Sequence, residues 1–148
     1  DNLKLSTQQI TDILNKESGL MGISELSSDC RVIEDESLNG HEGAVLALEM
    51  FSYRLAKYVA SMAVAAGGLD ALVFTGGIGE NSDIIREKVL NYCAFLGFSV
   101  DKEANTAARF GKAGVITAAG SKVKAVVIPT NEELMIAQDT ARLSGLAA

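Results

Sequence analysis

The run Ala71-Leu72-Val73-Phe74-Thr75 is continuous and apolar, and it stops dead at Gly76-Gly77-Ile78-Gly79. A short run of this kind has strand character and suits a sheet buried on both faces. Glycine directly after it calls for a tight turn or a close approach of backbone to something else, because glycine has no Cβ to clash. Asn81 or Ser82 can then cap a helix whose apolar positions are Ile84, Ile85, Val89 and Leu90, up to Cys93. A buried strand feeding a helix through glycine is the unit of an α/β fold, and it narrows the choices for the whole chain.

The other segments agree with that class. Ser6 and Gln9 have capping-box spacing ahead of Ile10, Ile13 and Leu14. Between Gly40 and Ala66, Val45, Leu48, Phe51, Leu55, Val59 and Met62 recur at helical spacing, which predicts one long helix closed by Gly67-Gly68. Met50, Met62, Phe51 and Phe95 are expected in the core. Phe98-Ser99-Val100 predicts a strand stub and Asp101 to Phe110 a helix. Val115-Ile116-Thr117 and Lys124 to Ile128 predict strands about a turn at Gly120-Ser121, and Pro129, the one proline, ends the second. A last helix is expected from Asn131 to Leu143. There are no repeats and no low-complexity stretch.

Composition removes several classes of function. With 13 Lys and Arg against 19 Asp and Glu, the net charge is −6 and no basic block exists, which argues against nucleic acid as a partner. Cys30 and Cys93 are too far apart for a CxxC motif, and the single histidine, His41, cannot complete a metal cluster with them. A disulfide framework is not expected, and the cytoplasm is the default compartment. The longest apolar stretch, Val59 to Ala66, is far too short for a membrane span. The start, Asp1-Asn2-Leu3-Lys4, is no signal peptide, and the missing initiator methionine suits a processed or trimmed piece.

Three stretches carry possible chemistry. The first is the glycine segment. It lacks the third glycine of a dinucleotide fingerprint, because Ser82 stands there. Nor is the other candidate, Gly111-Lys112, a Walker loop, since Ala113 follows it. It is either a phosphate- or nucleotide-binding turn at a helix N-terminus or simply a tight connection. The second is Pro129-Thr130-Asn131-Glu132-Glu133. Thr130 and Glu133 have capping-box spacing, which frees Glu132 either for Mg²⁺ held partly through water or for the helix dipole. The third is Asp29-Cys30-Arg31. Asp29 can accept from ribose hydroxyls and Arg31 can stack on a base or pair with phosphate, or the two can pair with each other. Cys30 is expected to act as a small buried hydrophobe and His41 as a surface or capping residue.

Taken in order, Leu26 to Arg31, Phe51 to Tyr58, Phe74 to Ser82, Ala107 to Gly111 and Val127 to Leu134 resemble the acetate kinase family of short-chain acyl kinases. The resemblance implies the actin-like, Hsp70-like fold built on ribonuclease-H-like domains. Residues 1–148 would be a single C-terminal nucleotide-binding domain of a longer two-domain kinase. It also implies ATP/ADP and acetate or acetyl phosphate as substrates, Mg²⁺ as cofactor, and a homodimer. On the matching positions it implies that Asp29, Cys30 and Arg31 flank the nucleoside, that Gly77, Ile78, Gly79, Glu80 and Asn81 line the nucleotide, and that Glu132 belongs to the Mg²⁺ site. The family's phosphate loop, acyl-phosphate arginines and catalytic aspartate and histidines have no counterpart, so no catalytic residue is expected here. The alternatives are a propionate or butyrate kinase domain, a non-catalytic module that binds nucleotide or dimerises, and a dinucleotide-binding domain of an oxidoreductase.

Overall fold

The computed structural model describes residues 4–146. Most of the starting tetrapeptide, Asp1 to Leu3, lies outside them. The elements follow as α1 (Thr7–Lys16), α2 (Gly19–Ser24), α3 (Cys30–Leu38), α4 (Glu42–Ala65), β1 (Ala71–Phe74), α5 (Gly76–Asn81), α6 (Asp83–Tyr92), a 3₁₀ turn (Ala94–Leu96), α7 (Lys102–Ala107), β2 (Gly114–Val115), β3 (Lys124–Val127) and α8 (Glu132–Leu143). The sheet order is β1-β3-β2. β1 lies parallel to β3 in a register pairing Phe74 with Val127, and β2 lies antiparallel, pairing Val115 with Val126. The α/β class stands, with a mixed sheet.

Local signals set several element ends. Ser6 and Gln9 form the reciprocal capping box at α1. His41 caps α4, its Nδ1 accepting from the Ala44 N–H at 3.2 Å. At the far end of α4, Gly67 takes φ +72°, and the amides of Gly67 and Gly68 donate to the carbonyls of Val64 and Ala63. That is a Schellman ending, in which glycine supplies the left-handed residue without a steric penalty. The helix expected from Asp101 is shorter, because Ala108 leaves helical geometry. The strand stub at Val100 is reduced to one bridge with Thr117.

Two expectations about burial need correction. The inner face of α4 is made of Ala44, Ala47, Leu48, Ser52, Ala56 and Ala63. Phe51, Leu55 and Val59 pack at its margin, but Val45 and Met62 point outward, Met62 at 62% exposure. Met50 and Phe95 are exposed as well. Small side chains let α3 and α6 pack close to α4, and periodicity of large residues does not reveal that. The second correction concerns β1. Phe74, Ala125 and Val127 are buried in one cluster with residues of α4 and α6, whereas Val73 is 49% exposed. The described helices thus cover one face of the sheet. Val73, Val126 and Val115, paired across the strands, share the other.

Candidate functional site

A cleft of about 710 Å³ opens between the start of α3, the α5–α6 junction and the turn after α7, a volume suited to a small-molecule ligand. Six of the residues singled out above line it: Asp29, Cys30, Arg31, Gly77, Ile78 and Asn81. Glu34, Ser82, Arg109 and Phe110 join them. Gly79, Glu80 and Glu132 are not part of the lining.

Asp29 caps α3. Its Oδ1 accepts from the Arg31 N–H at 2.9 Å and from Nε at 3.1 Å, and its Oδ2 accepts from Nη2 at 2.7 Å. This fork-to-fork contact holds the Asp29 carboxyl down at about 2. Asp29 and Arg31 therefore pair with each other at the cleft mouth, Arg31 exposed and Asp29 partly buried. Cys30 lies half-buried between them. Burial, with help from Glu34 and Asp29, pushes its thiol up to about 11, so it is protonated at neutral pH and no nucleophile.

The glycine segment is a helix rather than an open loop. Only Gly76 takes a left-handed dihedral, φ +70°. Gly77 has nothing within 4 Å of where a Cβ would sit, whereas a Cβ on Gly79 would meet the Phe74 carbonyl carbon at 3.3 Å. Gly79 therefore lets α5 rest on the end of β1, and Gly77 leaves room on the open side. Asn81 donates from Nδ2 to the Gly77 carbonyl at 3.0 Å and accepts at Oδ1 from the Phe110 N–H at 3.1 Å.

Glu80 turns towards the next strand end. One oxygen, Oε1, accepts from the Gly76 N–H at 2.9 Å, the Thr130 N–H at 2.8 Å and the Thr130 hydroxyl at 3.0 Å. The Thr130 bonds, with that from Gly76, keep its carboxyl below the usual range. Thr130 is thus not the cap of α8. Asn131 is, its Oδ1 accepting from the Leu134 N–H at 3.0 Å. The expected Thr130–Glu133 box is not formed, because Glu80 takes the Thr130 hydroxyl. Glu132 and Glu133 both sit exposed in the first turn of α8. Among the described residues no cluster of three or more His, Cys, Asp or Glu could hold a metal. A lone exposed carboxylate fits Mg²⁺ that arrives on substrate phosphates, since that ion keeps most of its waters and takes one or two protein oxygens.

Arg86 is the main feature that sequence reasoning missed. It is fully buried. Its Nε donates to Asn105 Oδ1 at 2.8 Å, its Nη1 to the carbonyls of Gly79 and Glu80 at 2.8 and 2.9 Å, and its Nη2 to those of Asn105 and Ala108 at 2.6 and 3.0 Å. All its donors are used, and it joins the C-terminal ends of α5 and α7, where a cation also suits the helix dipoles. The available signal was position: Arg86 stands one residue after Ile85 and three and four before Val89 and Leu90, on the apolar face.

The cleft floor is polar too. Ser82 caps α6, accepting from the Ile85 N–H at 3.1 Å, and donates its hydroxyl to Glu34. Burial raises the Glu34 carboxyl, against Ser82 and Arg109, which lower it. Arg109 pairs with Asp83 at 2.8 Å.

The family model described as the acetokinase family matches residues 1–138. Among curated relatives, acetate kinase 1 of Neisseria meningitidis is 72% identical over 146 residues, and acetate kinase of Chromobacterium violaceum is 64% identical over 143. These alignments cover 99% and 97% of this chain, but only 37% and 36% of those proteins. Among solved structures, acetate kinase of Porphyromonas gingivalis superposes with a TM-score of 0.85 at 48% identity, over 95% of this chain and 35% of that one. A propionate kinase of Francisella tularensis gives 0.83 at 46%, over 93% and 34%.

Proposed function

The chain belongs to the acetokinase family, and we propose that it is the nucleotide-binding C-terminal part of an acetate kinase, which reversibly transfers the γ-phosphoryl group of ATP to acetate, giving acetyl phosphate and ADP. One observation carries this reading: the Asp29-Cys30-Arg31 start of α3 and the glycine turn, far apart in sequence, share one cleft of nucleotide size. The names borne by relatives 58–72% identical favour acetate over propionate.

Phosphoryl transfer relies on positioning and on charge stabilisation. In this reading Asp29 and Arg31 meet the nucleoside at the cleft mouth, and Gly77 and Ile78 allow its backbone-close approach. Asn81 orients the turn. Gly79 and Glu80 act from behind the lining, Gly79 by seating α5 on β1 and Glu80 by tying α5 to the loop before α8. Glu132 supplies a carboxylate oxygen. Mg²⁺, when bound, neutralises phosphate charge. No catalytic residue is assigned within the chain, and a cytoplasmic homodimer belongs to the same reading. Among the described residues no helix is long and apolar enough to cross a membrane.

Calorimetric titration of the 148-residue chain with Mg·ADP and with NAD tests the assignment. Binding of ADP and not of NAD is expected, with no acyl hydroxamate formed from ATP and acetate by this chain alone. NAD binding in place of ADP would return the glycine turn to the oxidoreductase alternative.

A further inference from the structure

Resting on the nucleotide reading of the cleft, we propose that Phe110 is the residue on which the base of the bound nucleotide stacks, and that Asn81 is the positioning residue that holds it there. Phe110 is a non-glycine residue at φ +55°, a left-handed conformation that a bulky side chain adopts only when its surroundings impose it. Folding gains little from the ring, which is 78% exposed although it lines the cleft. Strain without burial points to a use outside the core. The surroundings that impose it are identifiable: Asn81 Oδ1 accepts the Phe110 N–H, while the same amide donates to the Gly77 carbonyl. One side chain thus couples the aromatic ring to the glycine turn.

The ring is backed by charge. The Arg109 guanidinium carbon lies 4.9 Å from its centroid, and Arg109 is itself fixed by Asp83. A cation against the ring and solvent over most of it leave a fixed aromatic surface beside Ile78, with acceptors on Asp29 and Glu34 in the same cleft. A flat aromatic ligand with donors at its edge matches that set, and a nucleobase is such a ligand.

The test uses the full 148-residue chain with Mg·ADP as probe. Phe110→Gly should raise the melting temperature, because glycine accepts the left-handed dihedral, and should weaken ADP binding about tenfold or more. The chain contains no tryptophan and three tyrosines, so Phe110→Trp places one indole at the site that can be excited apart from the tyrosines. It should keep ADP affinity within about twofold, and ADP should quench its emission. Asn81→Ala should weaken ADP binding by a clearly smaller factor in the Phe110→Gly background than in the natural one, the remainder being its hold on the Gly77 carbonyl; equal factors in the two backgrounds would show that it does not act through the ring. An unchanged ADP affinity in Phe110→Gly, or unquenched emission from Phe110→Trp at saturating ADP, overturns the proposal and leaves the nucleotide reading standing. If the unsubstituted chain binds no ADP, the nucleotide reading falls first and this proposal with it.

Discussion

β1 and β3 run parallel and finish side by side, Phe74 against Val127, and each hands the chain to a helix. The two junctions are built very differently. After β1, α5 is pressed onto the strand end through Gly79, and its last carbonyls are held by a buried guanidinium. After β3, α8 starts from an exposed Asn131 cap and buries none of its residues. Beyond the backbone bond from Ile128 N–H to the Phe74 carbonyl, the second junction is tied to the first through one oxygen of Glu80. The first junction shapes the cleft wall. The second carries Glu132 on an element that buries none of its residues and so has low local stability.

The largest test of this contrast is Arg86→Met. It removes five donors and strands the carbonyls of Gly79, Glu80, Asn105 and Ala108. A loss of about 3–5 kcal/mol in urea denaturation is expected, since several buried carbonyls lose their donors at once. A loss below about 1 kcal/mol would show that the first junction is no better anchored than the second.

The glycines of α5 sharpen the comparison at the next level. Gly79→Ala must force a Cβ against the Phe74 backbone, with an expected cost of about 1–3 kcal/mol. Gly77→Ala meets nothing and replaces glycine by alanine within a helix, which should stabilise by roughly 0.5–1 kcal/mol. Melting curves showing the same sign for both would erase the distinction drawn between them.

The smallest effects are the titrations of two glutamates, and their signs are opposite. The Glu80 carboxyl is lowered in the fold. Its contribution is therefore present above the ordinary glutamate value of about 4.3 and fades as pH falls through the lowered one. Glu80→Gln should melt slightly below the unsubstituted chain at pH 7, with the gap closing in acid. Burial raises the Glu34 carboxyl, so its ionised form opposes folding above the ordinary value and costs nothing well below it. Glu34→Gln should melt slightly higher at pH 7, and that gap too should vanish in acid. Melting temperatures from about pH 2 to 8 decide both, the Glu80 gap closing only below about 4.3 and the Glu34 gap closing as pH falls to about that value.

Much of this was legible in the residues. The capping box at Ser6, the cap at His41 and the glycine ending of α4 depend on neighbours in sequence, and all formed. The α/β class followed from Phe74 running into glycine. What stayed hidden depends on partners distant in sequence. Thr130 and Glu133 have capping-box spacing, but Glu80 competes for the Thr130 hydroxyl. The stripe of Val45 and Met62 looks like a core face, yet the close approach of α3 and α6 selects the alanines beside it. The cleft residues Asp29 and Gly77 could be named one by one. Their meeting across a wall held by Arg86 could not, because no local rule pairs Arg86 with Asn105 or Ala108.

The choice of arginine at position 86 also fixes which conditions can disturb the cleft. Its acceptors are four carbonyls and one amide oxygen, none of which titrates. Burial draws its own pKa down, but a guanidinium starts so high that it keeps its proton throughout the physiological range. The brace between α5 and α7 therefore has no acid or base form to switch into, and acidification that reaches Glu34 or Glu80 leaves it intact. Lysine could keep the charge but offers three donors for five acceptors. The site is thus closed to the most conservative of exchanges, and a chain that loses this arginine has no near neighbour in sequence space that restores the wall.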